Sequence, residues 1–332
     1  MAKKAEKGQD QEHHLIAHQD VGDSFGGTYY VEQCAVKLTA QGKKYTDMML
    51  RDKSGSRPVK FWGTIDKMKK GDFVFAAINV EDYMGAPSMI ARNIERALPP
   101  DDLSDHIPVY EDVDEHAQTF DDLRDELQKL CDDTKDQTCG LLVDEVFRDS
   151  KTFTKFATVP GSERPHYGRQ GGLMACTVRV AMACKMMAES YGIKSHEKAI
   201  LLAGAILHRV GGVDAFGFED CMPCMTRNGR LLGVGNLTLT RVQSALKRAV
   251  KNAKETKKPV DMDSIVRTMH LIASTGEAEV QPMTQEALIL ANARKMDVEL
   301  VEAIDFIEND LNVDDEFTAW DPKMRRRFYR GQ

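Results

Sequence analysis

A change of hydrophobic period about a third of the way along the chain limits what it can fold into. From about residue 22 to 95, TYYVEQCAVKL, KYTDMMLRDKSGSRPVKFWG and DFVFAAINVEDYMGAPSMIARNI are short β-prone runs, and RDKSGS and DYMGAP read as hairpin-type turns between them. Five or so short strands in so brief a span fit a small barrel better than an open sheet. ALPPDDLSDHIPVYEDVDE (97–115) then reads as an extended, acidic, Pro-containing linker. Beyond it the period is helical: Phe120, Leu123, Leu127 and Leu130 recur at three- and four-residue spacing, as do Leu239, Val242, Leu246, Val250 and Ala253. Apolar stretches near 171–191, 196–210, 262–273 and 284–308 extend this into an all-helical second domain. The predicted organisation is a mobile arm over 1–20, a β domain over 21–96, a linker over 97–116, a helical domain over 117–312 and an Arg-rich tail over 313–332.

Charge is divided as sharply as period. The net charge is −7, yet residues 101–150 hold 17 Asp and Glu against 4 Lys and Arg, leaving 35 acids and 41 bases elsewhere. A negative total argues against a polyanionic partner, because phosphate binding draws on clustered Lys and Arg, but the basic remainder restores that option. An acidic segment facing a basic remainder also invites contacts between copies in a homo-oligomer. Seven scattered cysteines do not resemble a disulfide framework and point to a reducing compartment. No run approaches the roughly 20 apolar residues of a membrane span. The expectation is a cytoplasmic protein without a membrane partner.

Within the β domain, aromatics fall at strand ends among lysines. Tyr45, Phe61, Trp62 and Tyr83 are candidate stacking surfaces, with Lys43, Lys44, Lys53 and Lys60 as phosphate partners. Such a combination holds single strands without reading their sequence. Adjacent strand residues face opposite sides, so of Phe61 and Trp62 one must point into the core.

Residues 29–95, above all YTDMMLRDKSGSRPVKFW followed by INVEDYMGAPSMIARNI, resemble the OB-fold domain of the bacterial 3′-5′ exoribonucleases of the YhaM type. That family carries an HD domain behind the OB-fold, and the resemblance continues into the helical half. PHYGRQGGLMACTVRV (165–180) is similar to the entry to the family's metal helix, and LLAGAILHRVGG (201–212) to its His-Asp helix. NGRLLGVG (228–235) and HLIASTGEAEVQPMTQEALILANARKMD (270–297) are similar to its closing helices. About 270 residues are covered, ASTGEAEVQPMTQEALIL being the most specific run. The fold class implied is α+β multidomain, a small N-terminal OB-fold β-barrel followed by an all-α HD-like domain.

The metal positions of that family are where this chain departs from it. The two early histidines correspond to His166 and Tyr167, and the histidine on the following helix to Cys176. His208 is kept, but its aspartate partner is Arg209. Val234 stands for a further histidine, Ser274 and Thr275 for a His-His pair, and Arg294 for the late aspartate, leaving Asp297 as the nearest acid. A hydrolytic site of this kind needs imidazoles and carboxylates converging on divalent cations, and a guanidinium ligates none. No metal or other cofactor is therefore expected. Arg209 and Arg294 could instead bind phosphate through bidentate hydrogen bonds, or pair with acids such as Asp214 and Asp297 and close a vestigial pocket. If activity persisted, it would fall to His166, His208 and Asp297, with Cys176 beside them.

Other features carry weaker signals. CMPC (221–224) has the spacing of half a zinc site and no second half. TLTRVQSALKRAVKNAKETKKP (238–259) carries Arg241, Lys247, Arg248, Lys251, Lys254, Lys257 and Lys258 against the single acid Glu255, a face that could contact phosphates. The tail KMRRRFYRGQ interleaves Arg325, Arg326 and Arg327 with Phe328 and Tyr329, which could clamp a strand or pair with the acidic segment. Together these features predict a non-catalytic protein that binds single-stranded DNA or RNA with little sequence specificity. Two alternatives are a metal-dependent 3′-5′ exonuclease with a rearranged site and a structural or regulatory module that binds protein.

Overall fold

In the computed structural model, which describes residues 13–107 and 119–331 except 40, 66, 84, 85, 136, 165, 257, 258, 276–279 and 311–315, the alternating runs become five strands. These are β1 (Ser24–Leu38), β2 (Lys44–Asp52), β3 (Gly55–Phe61), β4 (Phe73–Tyr83) and β5 (Ala86–Ala97). They close in the order β1-β2-β3-β5-β4, with β4 returning to β1. Neighbours are antiparallel except β3 and β5, which run parallel with Val59 opposite Met89. This is the five-stranded barrel arrangement of an OB-fold.

Closure depends on β1, whose fifteen residues pair with β4 through Ser24–Tyr30 and with β2 through Tyr30–Leu38. The register shifts between Val31 and Gln33, and such a bulge bends a strand enough to serve two neighbours. Inward alternation supplies the core: Tyr29, Val31, Met48, Leu50, Val59, Val74, Ala76 and Ile78 are buried together. RDKSGS is the turn predicted, with Asp52 paired to Gly55.

Two expectations change at the edges of the barrel. The predicted mobile arm is docked from His13 onward: Ile16 is fully buried and its N–H donates to the buried Asp52 carboxylate at 2.7 Å. Residues 1–12 lie outside the described residues. The start of the predicted linker is also folded, with His106 buried and its Nε2 2.9 Å from the Thr28 carbonyl; residues 108–116 of that linker lie outside the described residues.

The chain divides into two compact units, Met1–Val113 and Asp114–Gln332. The second holds α1 (Phe120–Asp132), α2 (Thr138–Phe147), α3 (Ser150–Thr158), α4 (Gly172–Ser190), α5 (Ser195–Leu207), α6 (Gly212–Ala215), α7 (Arg227–Thr256), α8 (Met262–Ala273) and α9 (Gln285–Asn309). A hairpin of β6 (Phe216–Glu219) and β7 (Met222–Met225) lies between α6 and α7. Thr119 and Asp122 form a reciprocal capping box that starts α1, whose stripe of Leu123, Leu127 and Leu130 is buried as its spacing predicts. On α7 the buried face is Thr238, Val242, Ala245, Ala249 and Ala253, turned slightly from the predicted stripe, with Leu239, Leu246 and Val250 half-buried.

α4 and α5 are buried nearly all round, the pattern of helices at the centre of a helical domain, and both pack on α9. Gly172 starts α4 against the preceding loop, where a Cβ would stand 2.2 Å from the Tyr167 carbonyl oxygen. That contact holds the His166–Tyr167 loop against the helix. Among the described residues no helix is long and apolar enough to cross a membrane.

Candidate nucleic-acid surface and helical cavity

The outer face of the barrel follows from strand phase. Thr46, Met48, Leu50 and Val59 point inward, and Phe61, in phase with Val59, packs against the same core. Phe61 is therefore corrected from a stacking candidate to a core residue, and Trp62 points out, 59% exposed. Thr46 pairs with Phe61 across β2 and β3, which brings Tyr45 beside Trp62 with ring centroids 5.4 Å apart. Two residues back on the same face, Lys60 sets its Nζ 5.8 Å from the centroid of the Tyr83 ring, and Tyr83 is 66% exposed. Tyr45, Trp62, Lys60 and Tyr83 thus form one outer surface of aromatic rings and a cation. Lys43 and Lys44 are exposed at the start of β2. Lys53 differs, since its Nζ is paired with Asp105 at 3.2 Å.

In the helical unit, α4, the end of α5 and α9 enclose a cavity of about 210 Å³ with His166, Tyr167, Cys176, His208, Arg209, Arg294 and Asp297 in its wall. The predicted positions therefore do converge, although they come from distant parts of the chain. His166 is held on both ring edges: Nε2 accepts from Arg179 at 2.9 Å, and Nδ1 lies 3.6 Å from Asp305. The Tyr167 hydroxyl donates to Asp297 Oδ1 at 2.8 Å. Burial raises the Asp297 carboxyl above the ordinary carboxylate range against the opposing pull of that hydrogen bond and of Arg179. The Cys176 thiol donates to the Leu173 carbonyl at 3.2 Å, and burial pushes its pKa up, so it is a protonated thiol.

His208 is buried and its Nδ1 lies 2.6 Å from the Ala205 carbonyl, which only an N–H can satisfy. Burial first, then Arg294 and Arg209, pushes its pKa down to about 3, so the ring is neutral and Nε2 is a bare acceptor. Among the described residues Nε2 has no hydrogen-bond partner. Arg209 donates to the Gly161 carbonyl at 2.5 Å and lies 5.8 Å from the Phe216 ring centroid, while its Nε has no partner among the described residues. The Arg294 guanidinium is in neither a hydrogen bond nor an ion pair among the described residues. Its pKa is lowered by burial and then by Arg209, though a guanidinium remains charged in any such setting. The alternative that Arg209 and Arg294 pair with Asp214 and Asp297 is not what is found: Asp214 binds Arg241 through both oxygens, at 2.6 and 2.8 Å.

This donor set does not fit the divalent metals that the family resemblance implies. No group of three or more His, Cys, Asp or Glu side chains converges among the described residues. His166 Nε2 is taken up by Arg179 and its Nδ1 faces Asp305 at 3.6 Å, Cys176 is protonated, and two guanidiniums face the space where cations would sit. CMPC, with Cys221 in the turn of the β6–β7 hairpin and Cys224 within β7 opposite Gly217, completes no metal set among the described residues either.

The remaining basic candidates separate by partner. Arg241 and Arg248 are bound to internal acids, Asp214 and Glu145, whereas Lys247 and Lys251 are exposed. Lys257 and Lys258 lie outside the described residues. The tail folds on itself as a hairpin, with bridges Phe317 to Tyr329 and Asp321 to Arg326, and it leaves Arg325, Arg326 and Arg327 exposed at its turn. Phe328 packs against Phe306 of α9. Sequence reasoning missed Arg179 and Asp305. Arg179 follows Cys176 by three residues on α4 and so shares its helical side, whereas nothing local points to Asp305, 139 residues from His166.

No protein-family model matches the chain. Curated relatives do. A 3′-5′ exoribonuclease YhaM of Bacillus velezensis is 23% identical over 300 residues, 86% of this chain and 88% of the relative. YhaM of Listeria innocua is 25% identical over 276 residues, 80% and 82% of the two chains, and YhaM of Bacillus subtilis 22% over 301 residues, 86% and 88%. Among solved structures, the second OB-fold domain of replication protein A from Methanococcus maripaludis covers 26% of this chain and 94% of its own, at 18% identity and a TM-score of 0.22. The expectation of a chain without catalysis is overturned by the relatives, whose shared name is that of an enzyme. This chain is a distant relative of the YhaM-type 3′-5′ exoribonucleases, similar to them over most of its length.

Proposed function

We propose that this chain binds single-stranded nucleic acid through the outer face of its barrel, with little regard to sequence, and that RNA is the polymer it meets. The observation that carries the reading is the outer surface of the barrel where the half-buried Tyr45 ring meets the exposed Trp62, and Lys60 reaches the exposed Tyr83 ring. Bases of any identity stack on such rings, and lysines beside them neutralise the backbone. Lys43 and Lys44 supply charge next to the rings, and Lys247, Lys251, Arg325, Arg326 and Arg327 are exposed on the helical unit for a longer strand. RNA is favoured over DNA because the relatives are named for it. A cytoplasmic setting goes with that partner.

A second reading, 3′-5′ exoribonuclease activity through His166, His208 and Asp297, is favoured by the relatives' name. One experiment addresses both. End-labelled RNA of about 20 nucleotides, the same sequence as DNA, and a duplex are incubated with the protein in Mn²⁺ or in chelator, following gel shift and strand length together. A chelator-resistant shift of single strands supports binding, and shortening from the 3′ end that requires the metal supports the second reading. Intact RNA that never shifts would exclude both.

A further inference from the structure

Away from that cavity, two grooves of the helical unit meet at one residue. The first, of about 700 Å³, runs between α7 and the junction of α2 with α3, and the second, of about 440 Å³, lies between α1 and the same junction; Arg148 is in the wall of both. In the first, Thr240, Ser244, Arg248 and Lys251 follow one another at four- and three-residue steps, so they share one face of α7. Its acids are Glu145, Asp149 and Asp214, and its cations are Arg148, Arg241, Arg248 and Lys251. Every one of those acids is occupied. Asp214 takes Arg241 through both oxygens, and Asp149 caps α3 while accepting from the Thr152 hydroxyl at 3.0 Å. Glu145, 3% exposed, accepts from Arg248 Nε at 3.0 Å on one oxygen and lies 2.9 Å from Arg148 on the other. One buried carboxylate thus positions two guanidiniums that are themselves more than half exposed. Lys251 is exposed and in no ion pair among the described residues, so the groove turns a positive excess to solvent on arginine forks already held in place. The second groove adds no net charge: Lys135 is drawn to Asp132, and Arg124 and Arg148 stand beside Asp125 and Asp144. Cys131 is a neutral thiol there, its pKa pushed up to about 12 by burial first and then by Asp144. What this groove contributes is aromatic, because the half-buried rings of Phe147 and Phe153 meet edge to face in its wall with centroids 5.9 Å apart.

We infer that the two grooves form one site for a single-stranded polynucleotide on the helical unit. Arg148, Arg248 and Lys251 hold phosphate oxygens along α7, and a base turns past Arg148 to lie beside Phe147 and Phe153. A single phosphate would leave most of the first groove unfilled and the rings unused, whereas a chain of nucleotides supplies repeated anions and flat bases together. The class of ligand rests on the nucleic-acid reading above, but the site shares no residue with the barrel face, so each can fail without the other.

The test uses the full chain in chelator and follows the anisotropy of a labelled single-stranded RNA of about 30 nucleotides across a salt titration. Arg148→Gln combined with Lys251→Gln is expected to weaken binding about tenfold and to lower the slope of log affinity against log salt by about 1.4, since each contact to a single strand contributes about 0.7. Lys194→Gln combined with Lys295→Gln removes the same charge from exposed lysines outside both grooves and is expected to change neither. Phe153→Leu keeps an apolar side chain and removes the ring, and is expected to weaken binding about fivefold. Should that variant melt below the wild type, the charge pair still reads the site, because Arg148 and Lys251 are exposed and Glu145 keeps Arg248 and Asn252 as partners. An unchanged slope in the Arg148 and Lys251 pair, an equal loss in the control pair, or Phe153→Leu binding within twofold of wild type at an unchanged melting temperature would each overturn the assignment. Loss of binding in Trp62→Ala with none in the groove variants removes this site and leaves the barrel reading; the reverse removes the barrel reading and leaves this site.

Discussion

Trp62→Ala is the substitution that most directly tests the barrel surface. The indole is 59% exposed and its ring lies against Tyr45 with centroids 5.4 Å apart, so its loss removes a stacking platform and almost nothing from the core. Stacking of one base on an aromatic ring contributes about 1 to 3 kcal/mol, and each 1.4 kcal/mol is a factor of ten in affinity, so the loss corresponds to about 5- to 150-fold in Kd. Removal of an exposed side chain of this kind changes stability by less than about 0.5 kcal/mol. The melting transition should therefore be nearly that of the wild type. The assay is fluorescence anisotropy of a labelled single-stranded RNA at fixed salt, with Trp320→Ala as the control because Trp320 is the chain's second tryptophan, exposed and on the other unit. The reasoning fails if Trp62→Ala binds within twofold of wild type while melting at the same temperature. It also fails if both tryptophan substitutions weaken binding equally, since that would place the strand elsewhere.

Two further outcomes follow from charge. Replacing Lys43, Lys44 and Lys60 together with alanine should lower the slope of log affinity against log salt by about 2, because each contact to a single strand contributes about 0.7; titration between about 50 and 200 mM salt measures it, and an unchanged slope would remove these lysines from the interface. The barrel should also weaken in acid through Asp52. Burial raises the pKa of this carboxyl, but hydrogen bonds from His13, Ser54 and the Ile16 N–H together outweigh it and hold the pKa below the ordinary range. A depressed folded-state pKa contributes stability above the unfolded value near 3.9 and loses it as pH falls through the folded value. Asp52→Asn should therefore cost about 1 to 3 kcal/mol at neutral pH and progressively less as the pH is lowered below about 4, a difference read from melting curves across that range.

Much of this molecule was legible because periodicity is local. Alternation in KYTDMMLRD and GSRPVKF decides which side of each strand is apolar, and it needs no knowledge of the partner strand. The stripe of Leu123, Leu127 and Leu130 is likewise a property of one helix. The turn at RDKSGS, the aromatic face with its lysines and the gathering of His166, Cys176, His208, Arg209, Arg294 and Asp297 were all foreseeable, the last only by resemblance to a family. The phase that sends Phe61 inward and Trp62 outward was not, because alternation demands that one face the core without saying which; the pairing of Thr46 with Phe61 decided it.

What tertiary structure alone decided is which charges have partners. Arg241 and Arg248 belong to a run that looked uniformly basic, yet Asp214 and Glu145 take them, while Lys247 and Lys251 on the same helix are exposed and in no ion pair among the described residues. Arg209 and Arg294 had acids to hand in the sequence, and the packing of α4, α5 and α9 directs one to a backbone carbonyl and leaves the other without an ion pair among the described residues. Tyr167 and Asp297 meet across 130 residues, and His166 and Asp305 across 139. Hydrophobic pattern is written in every few residues, because burial needs only a face; the pairing of two particular charged atoms is set within ångströms by how whole helices pack, and no local run of sequence contains that distance.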